Sequence, residues 1–243
     1  MKWISNISQI EISREIMNGD HMYAPINPTH YFGVGESALR CIASAAIAVK
    51  KDNFSSICDF ASGSGRVTRY LRAAFPDARI VCADLRQDSL AWLEQTFSIV
   101  PWLSDADFSV LQPPFPFDLV WSGSLITHLG ADDSRAVLRA VSRWLQPNGV
   151  GIVTTLGRKG IENRLNGRAR YISDQAFSLI HAQYLQTGFG YADYPGRKGI
   201  GLSMCSPEWV VSELLRIEGI RIIGAFEHGW DNHQDVFMFQ KTS

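Results

Sequence analysis

The residues best suited to chemistry gather around one glycine turn, Cys58-Asp59-Phe60-Ala61-Ser62-Gly63-Ser64-Gly65-Arg66-Val67-Thr68. A short apolar run enters it and a helical run leaves it. Gly63 and Gly65 let the backbone take φ > 0 and approach a ligand closely. The helix start beyond them offers free N–H groups and positive potential to a carboxylate or phosphate. Nineteen residues after Gly65, Asp84 closes the next apolar run. A carboxylate there can accept two hydrogen bonds from a ribose diol. Together these features describe a site for an adenosine-containing ligand at the carboxyl ends of parallel strands.

Two ligand classes compete for such a site, and a bare tight turn is the third reading. A dinucleotide needs GxGxxG, but counting from Gly63 puts Thr68 where the third glycine belongs. Asp59 would also set a carboxylate beside two phosphates. S-adenosylmethionine has no phosphates, and its ammonium can use an acid near the loop. Asp59 before the turn, Asp84 after it and the strand–helix context all weigh against a turn without function.

The elements that must position these residues follow from periodicity. Helices are expected over 37–51, 67–74, 89–97, 132–145 and 174–185, and strands over 55–59, 78–83, 117–121, 150–156, 221–226 and 236–240. Strands alternating with helices predict an α/β fold with a doubly wound, mostly parallel sheet. Little alternation within the strands fits a sheet buried on both faces. The expected organisation is a single domain: an N-terminal cap (1–52), a cofactor-binding core (53–156), an inserted acceptor lid (157–205), and a C-terminal helix with strands (206–243).

Composition narrows the class. The 243 residues are 46% hydrophobic and 19% charged, too apolar for a disordered chain. A net charge of -1 argues against a dedicated nucleic-acid binder. No apolar run is long enough to span a membrane, and the N-terminus lacks the apolar core of a signal peptide. Four widely spaced cysteines without a CxxC pair suggest neither a zinc site nor a disulfide framework. A reduced, cytoplasmic protein is expected.

The chain resembles the class I S-adenosylmethionine-dependent methyltransferases. ICDFASGSGRVTRYL (57–71) is similar to their first motif, with Ala61 at its first glycine position. IVCADL (80–85), FDLVWSGSLITHL (117–129) and WLQPNGVGIVTT (144–155) resemble their later motifs in the same order. The resemblance implies a seven-stranded Rossmann-like sheet with an antiparallel last strand, and S-adenosyl-L-methionine as cofactor. It implies that Asp59 and the backbone of Ala61, Ser62, Gly63 and Gly65 hold the methionine end. Asp84 would bind the ribose, with Leu85 beside the adenine. Asp107 and Phe108, or in another register Asp105 and Ala106, would meet the adenine amino group. Ser122, Gly123 and Ser124 would lie under the sulfonium, and Tyr31 would close over the cofactor. The ending of the chain, with GLSMCSPEWV at 201–210, resembles methyltransferases of bacterial polysaccharide gene clusters.

Other residues could serve the transfer itself. His128, just past the fourth motif strand, has three readings: a general base, a cofactor contact or a structural side chain. His30 could also face the site. In HGWDNHQD (228–235), His228, Asp231 and His233 are metal-ligand types, but their spacing matches no metal motif. An ordered polar turn, with Trp230 covering the sheet edge, is the simpler reading, so no metal is expected. Gln112-Pro113-Pro114-Phe115 mimics the motif of amino-methylating DNA enzymes but precedes its strand, and reads as a turn. The lid carries Arg158, Lys159, Arg164, Arg168, Arg170, Arg197 and Lys198 among tyrosines and phenylalanines. Basic and aromatic groups together suit a sugar-conjugate or other small-molecule acceptor. The expected reaction is methyl transfer to such an acceptor at oxygen. An NAD-dependent oxidoreductase and a non-catalytic S-adenosylmethionine-binding module are the alternatives. The acceptor and the oligomeric state are not legible.

Overall fold

Apolar strands separated by glycine turns assemble into one seven-stranded sheet in the computed structural model, which describes residues 2–168 and 170–242. A short α1 (Lys2–Ser5) precedes α2 (Pro28–Ala48). The sheet then alternates β1 (Ser56–Phe60), α3 (Thr68–Ala74), β2 (Arg79–Asp84), α4 (Gln87–Phe97), β3 (Val100–Leu103), β4 (Phe117–Ser122), α5 (Ala131–Trp144) and β5 (Leu145–Thr155). The lid follows as α6 (Arg158–Leu165), α7 (Asp174–Thr187), β6 (Phe189–Tyr194) and β7 (Arg197–Cys205). The chain ends with α8 (Pro207–Leu215), β8 (Ile220–Trp230) and β9 (Gln234–Lys241).

The sheet order is β3-β2-β1-β4-β5-β9-β8. β1 to β5 pair in parallel, and β9 runs antiparallel between β5 and β8. This is the expected doubly wound architecture with its last strand reversed. Alternate residues of the strands enter two cores. Ile57, Leu119, Trp121 and Ile152 pack under α2, α3 and α4. Cys58, Phe60, Val120 and Val153 pack under α5 and α8. A third, smaller core joins Leu156, Ile161, Phe177, Ile180 and Met204 beneath the lid.

Three elements differ from the sequence reading, each for a physical reason. α2 begins nine residues early, at Pro28, because Asn27 caps it by accepting from the His30 N–H and proline suits the first helical turn. β3 carries Pro101, which reads as a strand breaker, yet β3 is an edge strand where a missing N–H is tolerated. The lid's glycine-rich stretch is an antiparallel hairpin, β6–β7, turning at Pro195-Gly196. Two of its glycines are close-approach residues: a Cβ at Gly190 would overlap the Ile180 carbonyl, and one at Gly201 the Ala192 carbonyl. Among the described residues, no helix is long and apolar enough to cross a membrane.

Candidate active site

The β1–α3 turn is built from strained backbone held by short bonds. Ala61, Gly63 and Gly65 have φ of 64°, 55° and 79°. A side chain on Gly65 would overlap Leu93, whereas one on Gly63 would meet open space, so Gly63 leaves room above the loop. The Ala61 and Ser62 N–H groups donate to the Ala83 carbonyl, tying the turn to β2. Asp59 lies beneath the loop, buried, and accepts from the Thr68 hydroxyl at 2.7 Å. Burial, opposed by that hydrogen bond, raises its pKa to about 7. Thr68 therefore fills the place of a third glycine and braces the loop from inside. Asp59 lines neither of the two cavities described next.

At the end of β2, Asp84 Oδ2 accepts the Gly63 N–H at 2.8 Å and Oδ1 accepts the Arg86 N–H at 3.0 Å. Each oxygen keeps acceptor capacity for a ribose hydroxyl. Asp84 borders a cavity of about 260 Å³ with Ala61, Leu85, Asp105, Leu125 and Leu129. Phe60 and Phe108 also line it, with their rings edge to face. Apolar walls with a few convergent carboxylates suit a nucleoside, so the residues present fit an adenosine. Of the two registers open in the sequence, Asp105 and Ala106 line this cavity. Asp107 does not: it turns back to accept the N–H and hydroxyl of Ser109. Gly199 and Ile200 of the β6–β7 hairpin complete the wall.

A second cavity, of about 290 Å³, opens beside the first. Val34, Leu156, Leu202 and Trp230 give it apolar surface, and Arg66, Tyr171, Tyr194, Asp231 and His233 give it polar groups. His30 lines it too, its Nδ1 3.8 Å from Asp231 Oδ2. Ser124, in the loop after β4, has φ of 64° and donates its N–H to Thr154 Oγ1. Thr154 in turn donates to Gln234, whose amide reaches back to the Ser124 hydroxyl. Ser122 is buried at the strand end, and Gly123 is packed against Trp121 and Trp230. Only Ser124 of these three reaches the cavity.

His128 belongs to both cavities and forms their shared wall. It ends a 3-10 turn, Ile126–His128, that follows β4. Desolvation lowers its pKa below the usual imidazole value, against a hydrogen bond to the Gly201 carbonyl that raises it. The ring is therefore neutral at pH 7 and has a lone pair to offer.

Other sequence candidates sit elsewhere. Tyr31 is buried and lines neither cavity. Its hydroxyl donates to Asp20 at 2.7 Å, and burial with that carboxylate raises its pKa. Its ring packs beside Arg69, which donates to the Ser13 and Glu15 carbonyls and fastens the N-terminal segment to α3. The basic residues of the lid line neither cavity. Arg158 pairs with Glu208 and Glu227, and Arg164 pairs with Asp174. Tyr171 and Tyr194 are the lid aromatics that reach the second cavity. His228, Asp231 and His233 do not converge. His228 clusters with Glu227 and Asp235, where Arg158 already binds Glu227, while Asp231 and His233 face the cavity. Trp230 is buried against Trp121 and donates to the Val34 carbonyl instead of covering the sheet edge. Arg66 also lines the second cavity, and no local pattern marks it as a site residue.

Comparison with known proteins agrees with this architecture. The family model described as "Methyltransferase domain" matches residues 57–149. Trans-aconitate 2-methyltransferase from Azoarcus sp. (strain BH72) is 27% identical over 120 residues, which cover 49% of this chain and 46% of that protein. The match thus spans about half the length of that relative. An S-adenosylmethionine-dependent methyltransferase from Clostridium acetobutylicum ATCC 824 superposes with a TM-score of 0.59 at 16% identity, covering 88% of this chain and 92% of that one. The S-adenosylmethionine-bound amino pentose methyltransferase of calicheamicin biosynthesis from Micromonospora echinaspora also gives 0.59 at 16% identity, covering 90% and 98%. Residues 57–149 thus match a methyltransferase domain, and the fold around them is shared with solved S-adenosylmethionine-dependent methyltransferases.

Proposed function

We propose that the protein transfers a methyl group from S-adenosylmethionine to a hydroxyl of a small, largely uncharged, carbohydrate-like acceptor, with His128 as general base. The observation that carries this is the position of His128 between an adenosine-type cavity and a second, separately lined cavity. Asp84 would hold the ribose, Asp105 the adenine, and the backbone of Ala61 to Gly65 the methionyl group. When bound, S-adenosylmethionine supplies a methyl on a sulfonium: the acceptor oxygen's lone pair forms the new C–O bond, the C–S pair stays on sulfur, and the hydroxyl proton leaves. His128, neutral at pH 7, would take that proton. Such a base contributes about 10²–10⁴-fold, and alignment of the two bound groups supplies the rest. None of the lid's basic residues lines the second cavity, and Arg158 and Arg164 are paired with carboxylates away from it. Its tyrosine, tryptophan and histidine side chains, with Arg66 and Asp231 as charged hydrogen-bonding groups, suit hydroxylated rings.

The test has two steps. S-adenosylhomocysteine should raise the melting temperature while NAD does not, since a ligand selective for the native state stabilises it. Release of S-adenosylhomocysteine is then followed across a panel of sugars and sugar conjugates. Equal stabilisation by NAD, or none by the adenosyl ligand, overturns the proposal.

A further inference from the structure

His128 Nδ1 lies 3.1 Å from the Tyr194 hydroxyl and 3.2 Å from the Gly201 carbonyl oxygen. Both groups come from the β6–β7 hairpin. A carbonyl oxygen only accepts, so it can bond to the ring only if Nδ1 carries a proton. The other tautomer would set the Nδ1 lone pair against that oxygen. A neutral imidazole has one N–H, so Nε2 is then the nitrogen with the lone pair. We propose that Tyr194 and the Gly201 carbonyl are a positioning pair for His128: the carbonyl fixes the Nδ1–H tautomer, the Tyr194 hydroxyl orients the ring, and Nε2 is left as the base. The proposal rests on the role given to His128 above.

The hairpin is built for this hold. Gly201 pairs with Asp193 across it, and a side chain at Gly201 would overlap the Ala192 carbonyl. Close approach of the two strands therefore fixes where the Gly201 carbonyl sits. Two residues on, the Ser203 hydroxyl donates to the Ile126 carbonyl at 2.7 Å, so the same strand also holds the backbone turn that carries His128. Thr127 closes that turn by donating to the Ser124 carbonyl at 2.6 Å. Burial raises the Tyr194 pKa, which keeps its phenol neutral and able to accept from Nδ1–H. Nε2 has no hydrogen-bond partner among the described residues, so the lone pair remains available. Free imidazole side chains favour the opposite, Nε2–H, form, which makes the expected state diagnostic.

The experiment reads the tautomer directly. Long-range proton–nitrogen correlation spectra are recorded on the full, ¹⁵N-labelled chain, with His128 assigned by the signals lost in His128→Gln. The wild-type spectrum should show a protonated Nδ1 and an unprotonated Nε2. Tyr194→Phe removes one oxygen and keeps the ring. It should leave Nδ1 protonated, because the Gly201 carbonyl remains, and remove one bond that orients the ring, worth about threefold to tenfold. Turnover of the acceptor found by the screen should fall by a similar factor, with S-adenosylhomocysteine affinity unchanged by calorimetry. A wild-type Nε2–H form, or a Tyr194→Phe protein whose Nδ1 has lost its proton, overturns the proposal. If the tautomer behaves as stated but His128→Ala turns over normally, the positioning pair stands and the base role of His128 falls.

Discussion

Replacing Asp84 with alanine tests the cofactor half of the site at one atom group. The carboxylate has two duties. It accepts the Gly63 N–H at 2.8 Å and the Arg86 N–H at 3.0 Å, and it borders the adenosine-type cavity with spare lone pairs. Alanine removes both. Hydrogen bonds to a charged group contribute about 1.5–3 kcal/mol each, so two to a ribose would sum to about 3–6 kcal/mol if they were additive. Water entering the vacated space and relaxation of the loop reduce that. Each factor of ten needs about 1.4 kcal/mol, so the expected loss of S-adenosylhomocysteine affinity is at least about tenfold. The loop should suffer less. Gly63 is half-buried and its N–H can turn to water, so unfolding free energy should fall by about 1 kcal/mol, one net hydrogen bond. Isothermal calorimetry with S-adenosylhomocysteine measures the first quantity and urea denaturation of the free protein the second. Asp84→Asn keeps the shape without the charge and should fall between wild type and alanine in affinity. An Asp84→Ala protein that folds and binds within about twofold of wild type would refute the ribose assignment and the charge-assisted arithmetic behind it.

His128→Ala should lower turnover about 10²–10⁴-fold with S-adenosylhomocysteine affinity little changed. A parallel loss of both, seen by calorimetry beside kinetics, would make it a cofactor support. Asp59 has its folded pKa raised to about 7, above the ordinary 3.8, so the folded state holds the proton more tightly than the unfolded chain. This group therefore costs stability as pH climbs from about 4 to about 7, at about 1.36 kcal/mol per unit. Melting curves of wild type and Asp59→Asn should converge at the acid end and separate toward neutral pH, with wild type relatively weaker. Parallel curves would contradict the burial argument. Gly65→Ala must hold alanine at φ of 79° and push Leu93 aside. Left-handed strain and overpacking together should cost about 2–4 kcal/mol, read from urea denaturation; an unchanged midpoint and slope would contradict the turn geometry.

The sequence made legible what depends on neighbours along the chain. The Gly63 and Gly65 turn and Asp84 at the next strand end are local patterns with local causes, each in its expected place, and the expected C-terminal helix starts at Pro207. The Ser206 hydroxyl accepts the Trp209 N–H, as a capping residue should. What stayed hidden depends on distant contacts. The strand around Pro101 is allowed only because it lies at an edge, and edge position is a property of the whole sheet. Gly190 and Gly201 look like loop residues until the hairpin and α7 bring carbonyls against them. The choice between Asp105 and Asp107 turns on which carboxylate Ser109 captures. Trp230 reaches the site by donating to Val34, 196 residues away. The charge of the lid was visible, but its placement was not: Glu208 and Glu227, on elements outside the lid, pair with Arg158 away from the second cavity.

This division has a physical basis that also explains what the relatives share. The cofactor half is made by β1, β2 and the loops directly after them, where strand ends, helix starts and positive-φ residues coincide. Such geometry tolerates few sequences, so it survives as a short pattern, and the matching domain covers 57–149. The second cavity is roofed from outside that range, by His30 of α2, Tyr171 and Tyr194 of the lid, and Trp230 and His233 near the β8–β9 turn. These pieces meet only through tertiary packing, and each can change without disturbing the glycine loop. His128 is where the halves touch: it follows β4 inside the matched domain, but the nitrogen that sets its tautomer is held by the lid. Cofactor chemistry can thus stay constant while the surrounding segments set what is presented to it. Acceptor specificity in this protein should therefore track Tyr194 and its neighbours on the hairpin more closely than any residue of the glycine turn.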